Sequence, residues 1–306
     1  MPAGAHPSRA RLAAGFAAIY FVWGSTFLAI KYAVMEMPPF FMAGTRFLAA
    51  GLILYAWRRL RHGERPASAD WKGSALVGGL LFLGGNGSVV WASRRVPSGL
   101  IALMLAAIPL YMVLLDSLRR QGAALTGRVM LGIALGMGGL GLLMEPTDLL
   151  GAGRVDPAGA IVLLCGSFCW ALGSVASRSM RWGSSLAQTA AMQMLCGGVL
   201  LFLAGTLAGE PARLDPQAIT ARGIACLAYL TLLGSVVAFT AYSWLLSVTT
   251  PARVATYAYV NPLVAVLLGF TVAGEPLTAR TLVATIVIVA AVALIIGART
   301  PQRSGP

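Results

Sequence analysis

The chain has 306 residues, of which 58% are hydrophobic and only 11% charged, and its formal net charge is +13. Water must wet the surface of a soluble domain, which therefore carries roughly a quarter charged residues. This composition excludes a soluble enzyme, a disordered chain and a disulfide scaffold, and it indicates that most of the chain is solvated by lipid. The positive charge would suggest nucleic acid in a soluble protein, but here its position along the chain decides its meaning.

Ten apolar segments of membrane-spanning length follow one another along the chain. A hydrocarbon core of ~30 Å needs about 20 apolar residues per helix, and charged, proline and turn residues separate segments of that size. The predicted helices run approximately over residues 12–33, 38–58, 73–93, 98–118, 127–145, 157–178, 184–208, 221–247, 252–273 and 279–298. The connections are short, so the sequence predicts an all-α polytopic membrane protein without a separate soluble domain.

The first of these segments follows Arg9 and Arg11 and could be a signal peptide. It is about 20 residues long and runs directly into a second span, which favours a retained first helix. Fifteen Lys and Arg residues lie on the side of the N-terminus, seven lie on the other side, and Arg46 lies within a span. Cytoplasmic connections carry such an excess, so we expect a multi-pass protein with both termini in the cytoplasm.

The second half of the chain repeats features of the first. At an offset of 153 residues, Pro109 aligns with Pro262 and Trp91 with Trp244, and one deleted residue later the Leu-Thr-x-Arg pattern at 125–128 aligns with that at 277–280. The sequence thus predicts two repeats of five helices, over residues 12–145 and 157–298. An odd number of helices inverts the second repeat relative to the first, and an inverted pair can exchange two equivalent shapes that open to opposite sides. This is the requirement for alternating access.

Several motifs then carry a resemblance that covers nearly the whole chain. They are Trp-Gly-Ser-Thr at 23–26, Pro-Pro-x-x-x-Ala-x-x-Arg-Phe at 38–47, and the stretches 97–109 and 251–262. The chain resembles the EamA family of the drug/metabolite transporter superfamily in its ten-helix, two-domain form. The resemblance implies a bacterial inner-membrane transporter, commonly an exporter of amino acids or small metabolites, with a cavity lined mainly by helices 1, 3, 4, 6, 8 and 9. One departure is that Glu275, in Gly-Glu-Pro-Leu-Thr, has no acidic counterpart in Gly-Ala-Ala-Leu-Thr at 122–126.

Aromatic and polar side chains within the predicted spans are the candidates for a substrate cavity. They are Trp23, Ser25, Thr26, Arg46, Asn86, Trp91, Trp170, Ser174, Tyr242, Trp244, Tyr257 and Asn261. Trp and Tyr also concentrate at membrane interfaces, and buried polar groups also link helices, so these uses stay open. An unpaired Arg within a span costs about 2.5–3.5 kcal/mol on insertion scales. Arg46 is therefore either a contact for a substrate carboxylate or a structural residue bonded to backbone carbonyls.

Two prolines and a set of missing groups complete the sequence-based picture. Pro109 and Pro262 each remove a helical hydrogen bond near mid-span, which predicts hinges or static kinks. No His or carboxylate lies in the middle of a predicted span, and the four cysteines show neither metal nor disulfide spacing. We therefore expect no catalytic site, metal or cofactor, and only a small-molecule substrate and lipid as partners. Nucleic acid is excluded as a partner, and the oligomeric state, a monomer included, stays open.

The resulting hypothesis is an inner-membrane carrier that exports amino acids or related amphipathic metabolites. Uptake of a vitamin or nucleotide-type metabolite by the same fold is the alternative. A third hypothesis is a membrane enzyme or a channel. The predicted inverted repeat and the lack of an acid/base cluster argue against it.

Overall fold

A computed structural model describes residues 7–63, 65–96, 101, 104–119, 125–143, 157–273 and 278–298, and the regular structure within these ranges is helical. The helices are α1 (Arg9–Glu36), α2 (Pro39–His62), α3 (Ser68–Ala92), α4 (Ala107–Ser117), α5 (Gly127–Leu143), α6 (Pro157–Ser179), α7 (Leu186–Leu207), α8 (Ala221–Val248), α9 (Pro251–Ala255 followed by Tyr257–Ala273) and α10 (Ala279–Gly297). Two 3₁₀ turns, Pro211–Arg213 and Pro216–Ala218, connect α7 to α8.

Seven of these helices are long and apolar enough to cross a membrane. They are α1, α2, α3, α6, α7, α8 and α10, with 19 to 28 residues each. Helices α4 and α5 have 11 and 17 residues, and the longer part of α9 has 17. Large apolar side chains such as Leu60, Leu207 and Ile286 face outward, as lipid contact requires. The chain has the form of a polytopic membrane protein, while the count of ten spans stays a prediction.

Helices α2 and α7 pack antiparallel at very short distance. Gly44 of α2 lies against Phe202, and Gly51 lies against Leu195. The residue numbers of α7 therefore fall as those of α2 rise, which means that the two helices run in opposite directions. A Cβ on Gly198 would lie 2.8 Å from the Cγ of Leu48, which is too close for any residue larger than glycine. The glycines on both helices therefore set this close approach, as small residues do between helices in lipid.

Helices α5 and α10 form a second antiparallel pair of the same kind. A Cβ on Gly132 would lie 2.6 Å from Cγ1 of Ile295, and a Cβ on Gly139 would lie 2.7 Å from Cγ1 of Ile288. In both pairs a helix of the first predicted repeat contacts the helix at the corresponding place in the second.

Two acidic side chains hold the ends of the α2–α7 pair. Glu210, which follows α7, accepts hydrogen bonds from the backbone N–H groups of Phe40 (3.1 Å) and Phe41 (2.8 Å) in the first turn of α2. Asp70, which follows α2, accepts from Gly183 N (3.0 Å) and Ser184 Oγ (2.7 Å), just before α7. Glu210 thus satisfies free donors in the first turn of α2, where its charge also complements the helix dipole, and Asp70 holds the segment that leads into α7.

Three helices contain π-helical segments, which the sequence analysis did not anticipate. They are Ala18–Val22 in α1, Gly79–Asn86 in α3 and Leu230–Val237 in α8. A π-helical turn holds one residue more than an α-helical turn, and such turns are frequent at functional sites.

The two predicted hinge prolines lie near irregular points of their helices. A turn at Ala106 precedes α4, three residues before Pro109, and a turn at Thr256 divides α9, six residues before Pro262. Residues 97–100 of the motif around Pro109 and residues 274–277 with Glu275 lie outside the described ranges. A hinge role for either proline stays a prediction.

Candidate functional site

A central cavity of about 100 Å³ is enclosed by α1, α2, α3, α6, α8 and α9, together with residues at the start of α4. This volume suffices for a small ligand or several waters. Seven of the twelve candidate residues lie in its lining, and their role in substrate binding stays a prediction: Trp23, Thr26, Arg46, Asn86, Trp170, Tyr257 and Asn261. The helices that the EamA resemblance implies as lining are all present, and α2 joins them through Arg46 and Phe47.

Aromatic rings form one wall of the cavity. Trp23 lies at its centre, with its ring centroid 4.9 Å from that of Tyr257, 5.1 Å from Tyr242 and 5.8 Å from Trp170. The contacts to Tyr257 and Trp170 are edge-to-face, an arrangement that the ring quadrupoles favour. The rings that line the cavity come from α1, α6 and α9, so the wall joins both predicted repeats, and Tyr242 of α8 packs behind it.

Arg46 contributes the formal charge in the cavity wall. Its side chain is 4% exposed, and its Nε donates to Ser235 Oγ at 2.8 Å. Its guanidinium carbon lies 4.7 Å from the ring centroid of Phe47, close enough for a cation–π contact. Among the described residues, no carboxylate forms an ion pair with Arg46. The guanidinium is therefore a buried charge that hydroxyl and aromatic neighbours compensate only in part.

The two cavity asparagines differ in how their polar atoms are used. In the orientation that satisfies both ends of its amide, Asn261 donates to the carbonyl oxygens of Tyr20 and Tyr257, each at 3.1 Å. Asn261 therefore links α9 to α1. The Oδ1 atom of Asn86 is buried and has no donor among the described residues. The cavity thus combines a positive guanidinium with a free hydrogen-bond acceptor.

Both π-helical segments of α3 and α8 reach the cavity. Trp23 Nε1 donates to the carbonyl of Gly234 in α8 at 2.9 Å. In α3, a Cβ on Gly85 would lie 2.8 Å from the Trp170 ring. Trp23 of α1 therefore bonds to a π-helical glycine of the second predicted repeat, and Trp170 of α6 packs on one of the first.

The other five predicted residues lie outside the lining of this cavity. Ser25 pairs with Tyr229 Oη at 2.5 Å and faces α8. Tyr242 and Ser174 lie directly behind the aromatic wall, where Tyr242 Oη accepts from Trp170 Nε1 at 3.1 Å and pairs with Ser174 Oγ at 2.5 Å. Trp91 is covered by Arg95, whose guanidinium carbon is 4.0 Å from its ring centroid, and Trp244 packs on Gly15 near the start of α1.

The remaining lining is mostly apolar and was not predicted. Phe27, Phe47, Phe82 and Phe239 lie in the cavity wall, but in a chain that is 58% hydrophobic no pattern separates a phenylalanine facing a cavity from one facing a neighbouring helix. The one available signal was Phe47, which directly follows Arg46 in the motif at 38–47.

Comparison with known proteins agrees with this architecture. The family model described as "EamA-like transporter family" matches residues 12–144 and 157–297. The chain belongs to the EamA-like transporter family. Among EamA-like relatives, "Uncharacterized inner membrane transporter YedA" of Escherichia coli (strain K12) is 39% identical over 91% of this chain and 88% of its own length.

Two further relatives and one crystal structure were compared. "Protein PecM" of Dickeya dadantii (strain 3937) is 27% identical over 90% of this chain and 88% of its own. "Probable amino-acid metabolite efflux pump" of Escherichia coli (strain K12) is 26% identical over 79% of this chain and 80% of its own. The crystal structure of a protein 20% identical to this one gives a TM-score of 0.77 and covers 94% of this chain and 96% of its own. That likeness shows a shared fold.

Proposed function

We propose that this EamA-like protein is an inner-membrane carrier that works by alternating access and exports amino acids or related small amphipathic metabolites. One observation carries the proposal: Arg46 places a buried guanidinium in the wall of the central cavity with no ion-pair partner among the described residues. The names of two relatives, an inner membrane transporter and an amino-acid metabolite efflux pump, support the location and the cargo.

The chemistry of the cavity suits a molecule with a carboxylate, a hydrogen-bond donor and an apolar side chain. A planar guanidinium can bind a carboxylate with two parallel hydrogen bonds. Asn86 lines the same cavity, and after a rotation of its side chain its Oδ1, which has no donor among the described residues, would accept a hydrogen bond from the amino group of the same molecule. The rings of Trp23, Trp170 and Tyr257 offer an apolar and weakly cation-attracting surface for the rest. An amino acid carries all three features.

Packing between the repeats supports alternating access. Helix α2 runs antiparallel to α7, and α5 runs antiparallel to α10, as expected for corresponding helices of inverted repeats over 12–145 and 157–298. The tryptophan–glycine contacts at Gly234 and Gly85 are likewise related by exchange of the two repeats. We propose ten spans with both termini in the cytoplasm, so that the Lys- and Arg-rich connections face inward.

Counterflow into proteoliposomes tests the cargo and the role of Arg46 together. The purified protein should exchange labelled amino acids, and amino-acid amides, which lack the carboxylate, should compete poorly. Arg46→Lys should lower kcat/KM about tenfold or more, because an ammonium cannot form the bidentate contact. Arg222→Lys, at an exposed arginine, is the matched control. Unchanged transport in Arg46→Lys would contradict the proposed contact. Exchange of another class of metabolite, with none of amino acids, would contradict the cargo.

A further inference from the structure

A second cavity, of about 270 Å³, lies between the end of α6, the first turns of α7 and the end of α8. It shares no described lining residue with the central cavity. It lies at the N-terminal end of α7, whereas Glu210 lies at the C-terminal end. The N-terminal end of α7 is at the predicted cytoplasmic side of the molecule.

Buried polar side chains belong to the lining of this second cavity. Thr189 is 3% exposed, and its hydroxyl oxygen has no hydrogen-bond partner among the described residues. Gln193 is 2% exposed and donates from Nε2 to Ser177 Oγ at 3.2 Å. A buried hydroxyl without a partner is unfavourable. Thr189 and Gln193 thus give this cavity a partly polar lining, which suits a polar ligand.

The charge at this cavity is positive. Arg178 is in the lining, and one of its terminal nitrogens donates to the carbonyl of Thr249. The charged groups that influence Arg178 are Asp116 and Arg119, and Asp116 is itself bonded to Arg119 at 2.9 Å. No carboxylate is among the described lining residues. Together with the hydroxyl groups of Thr189, Ser243 and Ser247, this favours a small organic anion.

We propose that the second cavity binds the carboxylate of the transported metabolite before it reaches the central cavity. The identity of the ligand rests on the proposed function, whereas the anion preference rests on the second cavity alone. Gln193 lies seven residues after the first residue of α7, and Arg46 lies seven residues after the first residue of α2. In each predicted repeat, the residue at this position of the second helix therefore has a hydrogen-bonding side chain in the lining of a cavity.

Reaction of an introduced thiol with charged reagents tests the anion preference directly. Ser243→Cys is made in a chain whose four native cysteines are replaced by serine, reconstituted in phosphatidylcholine vesicles. An anionic sulfonatoethyl methanethiosulfonate should react about tenfold faster than its cationic trimethylammonium analogue, after correction for their rates with free cysteine. Arg178→Gln should abolish this preference. Arg181→Gln is the matched control, because Arg181 is exposed and does not line the second cavity, and it should retain the preference.

A second reporter and a change of lipid sharpen the result. Ser247→Cys, also in the lining, repeats the measurement if Ser243→Cys fails to fold. Equal rates for the two reagents, or a preference that survives Arg178→Gln, would overturn the proposal. A preference lost when phosphatidylglycerol is added would assign the site to a lipid headgroup and would also overturn it. Thiol labelling needs no transport, so a failure of amino-acid exchange is distinguishable from a failure of this site.

Discussion

Four consecutive residues of α1, Trp23 to Thr26, show how one short motif can serve four purposes. Trp23 bonds α8 and forms the centre of the aromatic wall. Gly24 lets α9 approach, Ser25 bonds Tyr229 of α8, and Thr26 lines the cavity. Because adjacent residues on a helix point in different directions, the motif joins α1 to both α8 and α9 at one level.

The role of Gly24 gives a direct prediction. A Cβ at this position would lie 2.6 Å from Val264 Cβ and 3.1 Å from the carbonyl oxygen of Asn261. Gly24→Ala should therefore destabilise the protein by about 1–3 kcal/mol through overpacking, measured as a lower apparent Tm in detergent. Gly138→Ala is the matched control, because nothing lies within 4 Å of a Cβ there, and alanine should leave the Tm unchanged or raise it. Equal effects at the two glycines would contradict this packing argument.

Sequence singles out a residue where its chemistry is unusual for its place in the chain, and gives no such signal where its chemistry is common. Arg46 could be singled out because a charge within an apolar span is costly. Trp23 and Trp91 could not be told apart, since tryptophan suits a cavity, a helix contact and a membrane interface equally well. Phe82 gave no signal at all. What separates these residues is the direction of the side chain, which depends on how the helices rotate against one another.

At the scale of elements, the π-helical segments decide which side chains face the central cavity. Phe82, Gly85 and Asn86 belong to the segment in α3, and Gly234 belongs to the segment in α8. The offset of 153 residues between the repeats places the start of the α3 segment within two residues of the start of the α8 segment. Each wide turn rotates the rest of its helix relative to a regular α-helix. No sequence pattern predicts this, because π- and α-helices use the same residue types.

The acids at the ends of α2 and α7 give a prediction for the helix pair. Glu210→Gln should reduce stability by about 1–3 kcal/mol, because a charged acceptor of two backbone N–H groups is replaced by a neutral one with a single acceptor oxygen. The apparent Tm in detergent measures the loss. Asp215→Asn, exposed in the same connection, is the control and should have little effect. An unchanged Tm in Glu210→Gln would show that these bonds stabilise neither helix.

For the whole molecule, the composition of the central cavity predicts how transport is driven. No carboxylate is among the described residues that line it, so none of these residues is an acid that could carry a proton across with the substrate. Proteoliposomes should therefore equilibrate the substrate without concentrating it, whether or not a pH gradient is imposed. Vesicles loaded with buffer at equal pH are the control. Accumulation that requires the pH gradient would contradict an uncoupled carrier.

The all-helical membrane architecture and the family were predictable from sequence because they depend on segment length, motif and charge distribution. The direct contact between α2 and α7 was not, since it depends on where glycines allow the helices to meet, such as Gly51 against Leu195 and Gly198 against Leu48.

The reciprocal bonds of Glu210 and Asp70 also bear on how the protein is assembled during synthesis. The first turn of α2 is completed by an acid made about 170 residues later, so the N-terminal half leaves the ribosome with those donors open. An N-terminal half expressed alone should thus be protease-sensitive, and co-expression of the C-terminal half as a separate polypeptide should protect it. The two halves of this transporter would then depend on each other to complete this end of α2.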